Sequence, residues 1–133
     1  MPWGPFLQHQ NRNSAPNQLT CDLLVDVSLG FRDVLGKYSL AIIKALADNL
    51  KHNKYQVRKK TLFTISRLLV TSEAGSHLEH LQLGLKSSLS DPKGEVRKAG
   101  MECVAYLLNY MAPKYLKQCE ALLVSYLLVG LSD

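Results

Sequence analysis

The sequence predicts an all-α chain, and within that class an α-solenoid of stacked antiparallel helix pairs. Three observations carry the expectation. From Leu19 onward apolar residues recur every three or four positions, with no alternating strand pattern of useful length. The chain matches itself at offsets of 39 and 42 residues. Each period divides at polar turns into two amphipathic helices, and one such pair cannot bury both apolar faces without stacking on a neighbour.

The 133 residues, 47% apolar and 20% charged, suit one soluble domain and would be stretched by two. Residues 1–18 hold Pro2, Pro5 and Pro16 among asparagines and glutamines, and read as a disordered leader in which Trp3 and Phe6 are incidental aromatics. Residues 19–133 form the helical repeat domain. Its first helix is expected over Thr20–Leu35, with Leu23, Leu24, Val27, Phe31 and Val34 on its apolar face and Gly36 as C-cap. A second helix starts near Ser39, read as its N-cap, and ends at the turn His52-Asn53-Lys54. The third spans Tyr55–Thr71, with Val57, Thr61, Leu62, Ile65, Leu68 and Leu69 facing the core. A fourth, Ser76–Leu89, presents Leu78, Leu81, Leu85 and Leu89. Asp91 as N-cap and Pro92 at the first helical position start a fifth that runs to Met111. Pro113 opens a sixth, ending near Leu131.

At the offset of 39, Val57, Arg58, Lys59 and Leu62 fall on Val96, Arg97, Lys98 and Met101, while Ile42, Leu46 and Leu50 fall on Leu81, Leu85 and Leu89. At 42, Leu81, Leu85, Leu89 and Asp91 fall on Leu123, Leu127, Leu131 and Asp133. A third copy thus begins and stops after one helix, so a C-terminal truncation and an exposed apolar face on the last helix are expected. Leucine matches arise readily between amphipathic helices. The shared Val-Arg-Lys after a polar turn does not.

The stretch Leu89-Ser90-Asp91-Pro92-Lys93-Gly94-Glu95-Val96-Arg97 resembles the inter-helix turn of HEAT (armadillo-type helical) repeats. That resemblance covers residues 19–133 and implies a ladder of Asp and Arg side chains joining neighbouring repeats, with Arg58, Asp91 and Arg97 as members. His52 stands where the first copy should have its Asp, a departure that puts the first rung in doubt. Within the superfamily, the Val-Arg starts and the stretch Tyr115 to Asp133 are similar to the HEAT proteins that assemble axonemal dyneins. That similarity implies a cytoplasmic scaffold presenting a surface to dynein chains and co-chaperones during preassembly of dynein arms for cilia, with no cofactor and no turnover. Two other HEAT classes remain open: a nuclear transport or chromatin-associated scaffold, and a microtubule-binding array. The first tends to be acidic, and the second places Trp and Lys in its turns, whereas the one Trp here is Trp3.

No catalytic chemistry is legible. There is no Gly-x-Ser-x-Gly elbow, no glycine-rich phosphate loop and no catalytic carboxylate pair, so an enzyme, a cofactor and a small-molecule substrate are not expected. His77, Glu79 and His80 lack the His spacing of a zinc hydrolase and read as a solvated helix start rather than a metal site. The net charge of +5 is modest for a nucleic-acid binder. Between Lys51 and Arg67 no acidic residue occurs, and Lys51, Lys54, Lys59 and Lys60 form a candidate partner-binding stripe, with the solvent face of a helix as the plainer alternative. Cys21, Cys103 and Cys119 are odd in number and sit in apolar patterns, which suits a reducing compartment. No apolar run reaches the roughly 18 residues that span a bilayer, so the protein is expected to be soluble and cytoplasmic, with the nucleus as alternative.

Overall fold

The computed structural model describes residues 15–30, 37–71, 78–110 and 117–132. These residues are predominantly helical, joined by short turns, and contain no strand. The α-helices are α1 (Ala15–Gly30), α2 (Ser39–Asn49), α3 (Tyr55–Thr71), α4 (Gln82–Ser88), α5 (Gly94–Tyr110) and α6 (Glu120–Ser132), the last entered through a 3-10 turn at Lys117–Cys119.

The 3.6-residue period of each helix gathers its leucines on one side. Along α3 that side carries Val57, Leu62 and Ile65, all fully buried, and α3 packs against α1, α2 and α5. The same positions of α5 carry Val96, Met101 and Val104, and α5 packs against α3, α4 and α6. Helix α4 also touches α6. One continuous core results, from Ile43 and Leu46 of α2 through Leu81 and Leu85 to Leu122 of α6. Lys59 and Lys60, about 100° apart around the α3 axis, reach different neighbours: Lys60 Nζ lies 2.5 Å from Asp22 of α1, and Lys59 Nζ 3.9 Å from Glu95 of α5. Helices α1, α3 and α5 therefore form a row.

Several boundaries differ from the sequence expectation. Helix α1 begins at Ala15, so residues 15–18 of the expected leader are helical. Pro16 suits a first turn, because its fixed φ is already helical. Asn17 then ties that turn down through a reciprocal amide pair with Asn49 of α2, at 3.1 and 3.0 Å. Residues 1–14, and Phe31, Val34 and Gly36 of the expected first helix, lie outside the described residues. Leu23, expected on the core face, is 61% exposed, while Cys21 and Leu24 turn inward. Ser39 is the first residue of α2 rather than its cap; Tyr38 holds that position without a side-chain cap bond. The fourth helix is shorter than expected: residues 78–80 form a 3-10 turn, and α4 proper starts at Gln82. Helix α5 starts at Gly94 instead of Pro92, for a reason that lies in the turn before it.

Candidate protein-binding surface

The two turns that introduce α3 and α5 are built alike. In the second, the Lys93 backbone N–H donates to Asp91 Oδ1 at 2.9 Å, and the Lys93 carbonyl accepts from the Val96 and Arg97 N–H groups, both at 3.1 Å. In the first, the Lys54 N–H donates to His52 Nδ1 at 3.0 Å, and the Lys54 carbonyl accepts from Val57 and Arg58 at 3.1 and 3.3 Å. An imidazole nitrogen thus does for the first turn what a carboxylate does for the second. Helical bonding starts from the Lys carbonyl in both, which is why α5 begins after Pro92.

Each turn is then closed from below by an arginine one turn into the helix. Arg58 Nη1 donates to the carbonyls of His52 and Asn53 at 2.8 and 3.3 Å, and Arg97 Nη1 to those of Asp91 and Pro92 at 2.6 and 3.2 Å. Carbonyl groups at a turn would otherwise need water, so each guanidinium saves its turn from being left unpaired. Arg58 does more. Its Nε and Nη2 donate to the two oxygens of Asp91 at 2.8 and 2.9 Å, a bidentate pair that links one helix pair to the next. Both side chains are largely shielded, at 15% and 9% exposure. Burial pushes the Asp91 carboxyl up, but hydrogen bonds from Arg58 and the Lys93 N–H, with the charges of Arg58 and Arg97, outweigh it and hold the group below its ordinary value. Arg97 is exposed, and its described bonds leave from Nη1 alone.

The basic stripe does not stay together. Lys51 and Lys54 are exposed around the first turn, whereas Lys59 and Lys60 diverge to Glu95 and Asp22. Between α3 and α5 runs a shallow groove of about 270 Å³, lined by Lys59, Leu62, Phe63, Arg67, Ala99 and Glu102. Phe63 is 47% exposed there, with the Arg67 guanidinium 5.0 Å and the Lys60 ammonium 5.9 Å from its ring centre. Sequence reasoning passed over Phe63; the signal available was a large aromatic off the core-facing period of α3. Lys93 similarly covers the Tyr55 ring at 4.6 Å.

The cysteines are free and buried. Desolvation pushes the Cys103 thiol up to about 12, and also raises Cys21 and Cys119, so all three stay protonated and inert as nucleophiles. His80 Nε2 lies 3.6 Å from Glu79 Oε1, while His77 is outside the described residues. Among the described residues no group of three or more His, Cys, Asp or Glu side chains could hold a metal ion. No described helix is long and apolar enough to cross a membrane. The chain matches no protein-family model, no curated protein and no solved structure.

Proposed function

We propose that this chain is a HEAT-type α-solenoid that serves in the cytoplasm as a non-enzymatic protein-binding scaffold, and that its partners are the axonemal dynein chains and co-chaperones that its sequence resemblance implies. The observation that supports this reading is the recurrence of one turn device at two consecutive positions. Arg58 and Arg97 close their turns through the same atoms, six and five residues back in each case. A side-by-side row of α1, α3 and α5 is the packing that such a repeat requires, and elongated rows present long surfaces suited to other proteins. Ion pairing of Lys59 and Lys60 within the row leaves less free positive charge for the acidic tubulin surface, which weighs against the microtubule-binding alternative.

Affinity capture of the tagged chain from lysate of ciliating cells, with bound proteins quantified by mass spectrometry, tests the reading. Enrichment of axonemal dynein chains and chaperones is expected. Enrichment of nuclear-pore, chromatin or tubulin proteins without dynein would reassign the function.

A further inference from the structure

The lysines that the sequence sets in one stripe are regrouped by the fold. Lys51 and Lys54 flank the first turn, and Lys93, which falls on Lys54 at the offset of 39, stands in the second. All three are exposed. The bidentate bond from Arg58 to Asp91 fixes one turn against the other. Lys93 leans across that junction and puts its ammonium 4.6 Å from the ring centre of Tyr55, the residue after Lys54. A basic surface therefore crosses the row at one end, over the starts of α3 and α5, instead of running along α3.

The chain does not neutralise this surface. Among the described residues none of the three ammonium groups has a carboxylate within ion-pair distance. Asp91 and Glu95 lie in the second turn and at the start of α5, but Arg58 holds the first and Lys59 reaches the second. Asp48, three residues before Lys51, forms no ion pair with it. Residues 1–14 lead into α1 beside the first turn, where Asn17 holds Asn49, and contain no Asp or Glu. Asp33 and Glu73 follow α1 and α3, helices of 16 and 17 residues whose far ends are about 25 Å away. Asp133 follows α6, which packs on α4 and α5, whereas Lys93 leans toward α3.

We infer that Lys51, Lys54 and Lys93 bind an acidic segment of a partner polypeptide, a run of Asp or Glu side chains laid across the two turns. The inference rests on the scaffold reading and gives it a surface and a partner chemistry. Charge complementarity selects the partner, because unpaired cations held at fixed turns attract the opposite charge. Nucleic acid fits less well. Three ammonium groups neutralise few phosphates. The Tyr55 ring is half-buried and covered by Lys93, so it offers no platform on which a base could stack. Arg58, the guanidinium between the two turns, is consumed by Asp91 and by its own carbonyls, so ammonium groups rather than a planar fork meet the ligand. Such groups accept carboxylates in many geometries, and the segment is specified by its charge density more than by its exact sequence.

The test uses the full chain and a fluorescein-labelled peptide of alternating Glu and Ser. Fluorescence anisotropy at low salt should show saturable binding that weakens as salt rises, and the Gln-for-Glu counterpart should not bind. Reversing the three lysines together, by Lys51→Glu, Lys54→Glu and Lys93→Glu, should weaken binding at least tenfold. Acidic residues near helix starts complement the helix dipole, so this variant keeps its fold, which circular dichroism checks. A matched reversal at exposed positions away from the turns, by Lys37→Glu, Lys44→Glu and Lys117→Glu, changes the net charge equally and should leave affinity within about twofold. Absence of saturable binding by the Glu peptide overturns the proposal. An equal loss in the matched variant also overturns it, since net charge rather than this surface would then be responsible. Oligothymidylate that binds tighter than the peptide, and is lost on the same triple reversal, gives the surface to nucleic acid and overturns it as well. The lysate capture is a separate readout, because it reads partners bound anywhere on the chain: it can fail while the peptide binds, and succeed while the peptide does not.

Discussion

Asp91 carries three bonds with one carboxylate: two from Arg58 across the row and one from its own turn. Removing either member of a shielded ion pair strands the other, so Asp91→Ala and Arg58→Ala should each lose about 3 kcal/mol, read as a fall in urea midpoint at pH 7. The acid side gives the sign. Because the folded value lies below the ordinary 3.8, the contribution is present above about pH 4 and disappears as pH falls through the folded value. The stability difference between wild type and Asp91→Asn should therefore be large at pH 7 and shrink as pH falls through the folded carboxyl's lowered value; a difference that stays constant with pH would rule out the carboxylate charge as its source. His52 does part of the same work through Nδ1, but an imidazole brings no negative charge to complement the helix start. His52→Asp keeps an acceptor in place and adds that charge, and should raise stability by about 0.5–1 kcal/mol, visible as a higher melting temperature.

Between elements, contact distance decides which residues are allowed. Helices α4 and α5 approach so closely that a Cβ on Gly100 would sit 2.5 Å from Ser88 Oγ, 3.0 Å from Ser88 Cβ and 3.3 Å from the Ser88 backbone. Ser88 cannot swing clear without giving up the 2.6 Å bond to the Leu85 carbonyl. Alanine favours a helix interior over glycine by about 1 kcal/mol, but overpacking of a tight crossing costs about 1–3 kcal/mol, so Gly100→Ala should be destabilising. Ser88→Gly in the same chain removes two of the three close atoms and should recover most of the loss, a non-additivity that a thermal-melt double-mutant cycle reads directly. At Gly84 the nearest atom is Leu50 Cδ1, at 2.7 Å, the free end of a side chain that can rotate, and the alanine there should be tolerated better. These crossings were beyond the reach of the sequence. Leu78, Leu81, Leu85 and Leu89 were all legible as core from their spacing, and all are buried. The shortened α4 was not, since Leu78 is as well buried in a 3-10 turn as in an α-helix and the apolar period does not separate them.

At the scale of the whole molecule, what sequence could show was periodicity, and what it missed was direction. The match of Arg58 to Arg97 was readable as text; that Arg58 holds the Asp91 carboxylate across the row follows only from which helices are neighbours. Likewise the run Lys51 to Lys60 is contiguous in sequence, yet helical rotation sends Lys59 and Lys60 to different helices. If the row is the proposed stack of helix pairs, its stability is a sum of local and nearest-neighbour contributions, and a further prediction follows. Helix α3 has packed neighbours in α1, α2 and α5, and α5 in α3, α4 and α6, while α6 leaves Leu127, Leu128 and Leu131 largely in solvent. Opening α6 uncovers Leu122 and the packed faces of Tyr126 and Val129, whereas opening α3 uncovers Val57, Leu62 and Ile65, all fully buried, along three neighbouring helices. Native-state hydrogen exchange should accordingly be slowest for amides around Leu62–Ile65 and Val104–Leu107 and at least tenfold faster around Tyr126–Leu131, with α1 between them. Uniform protection across all six helices would instead mark a single cooperative unit, in which an open edge at α6 has no separate energetic meaning and the stacked-repeat description fails.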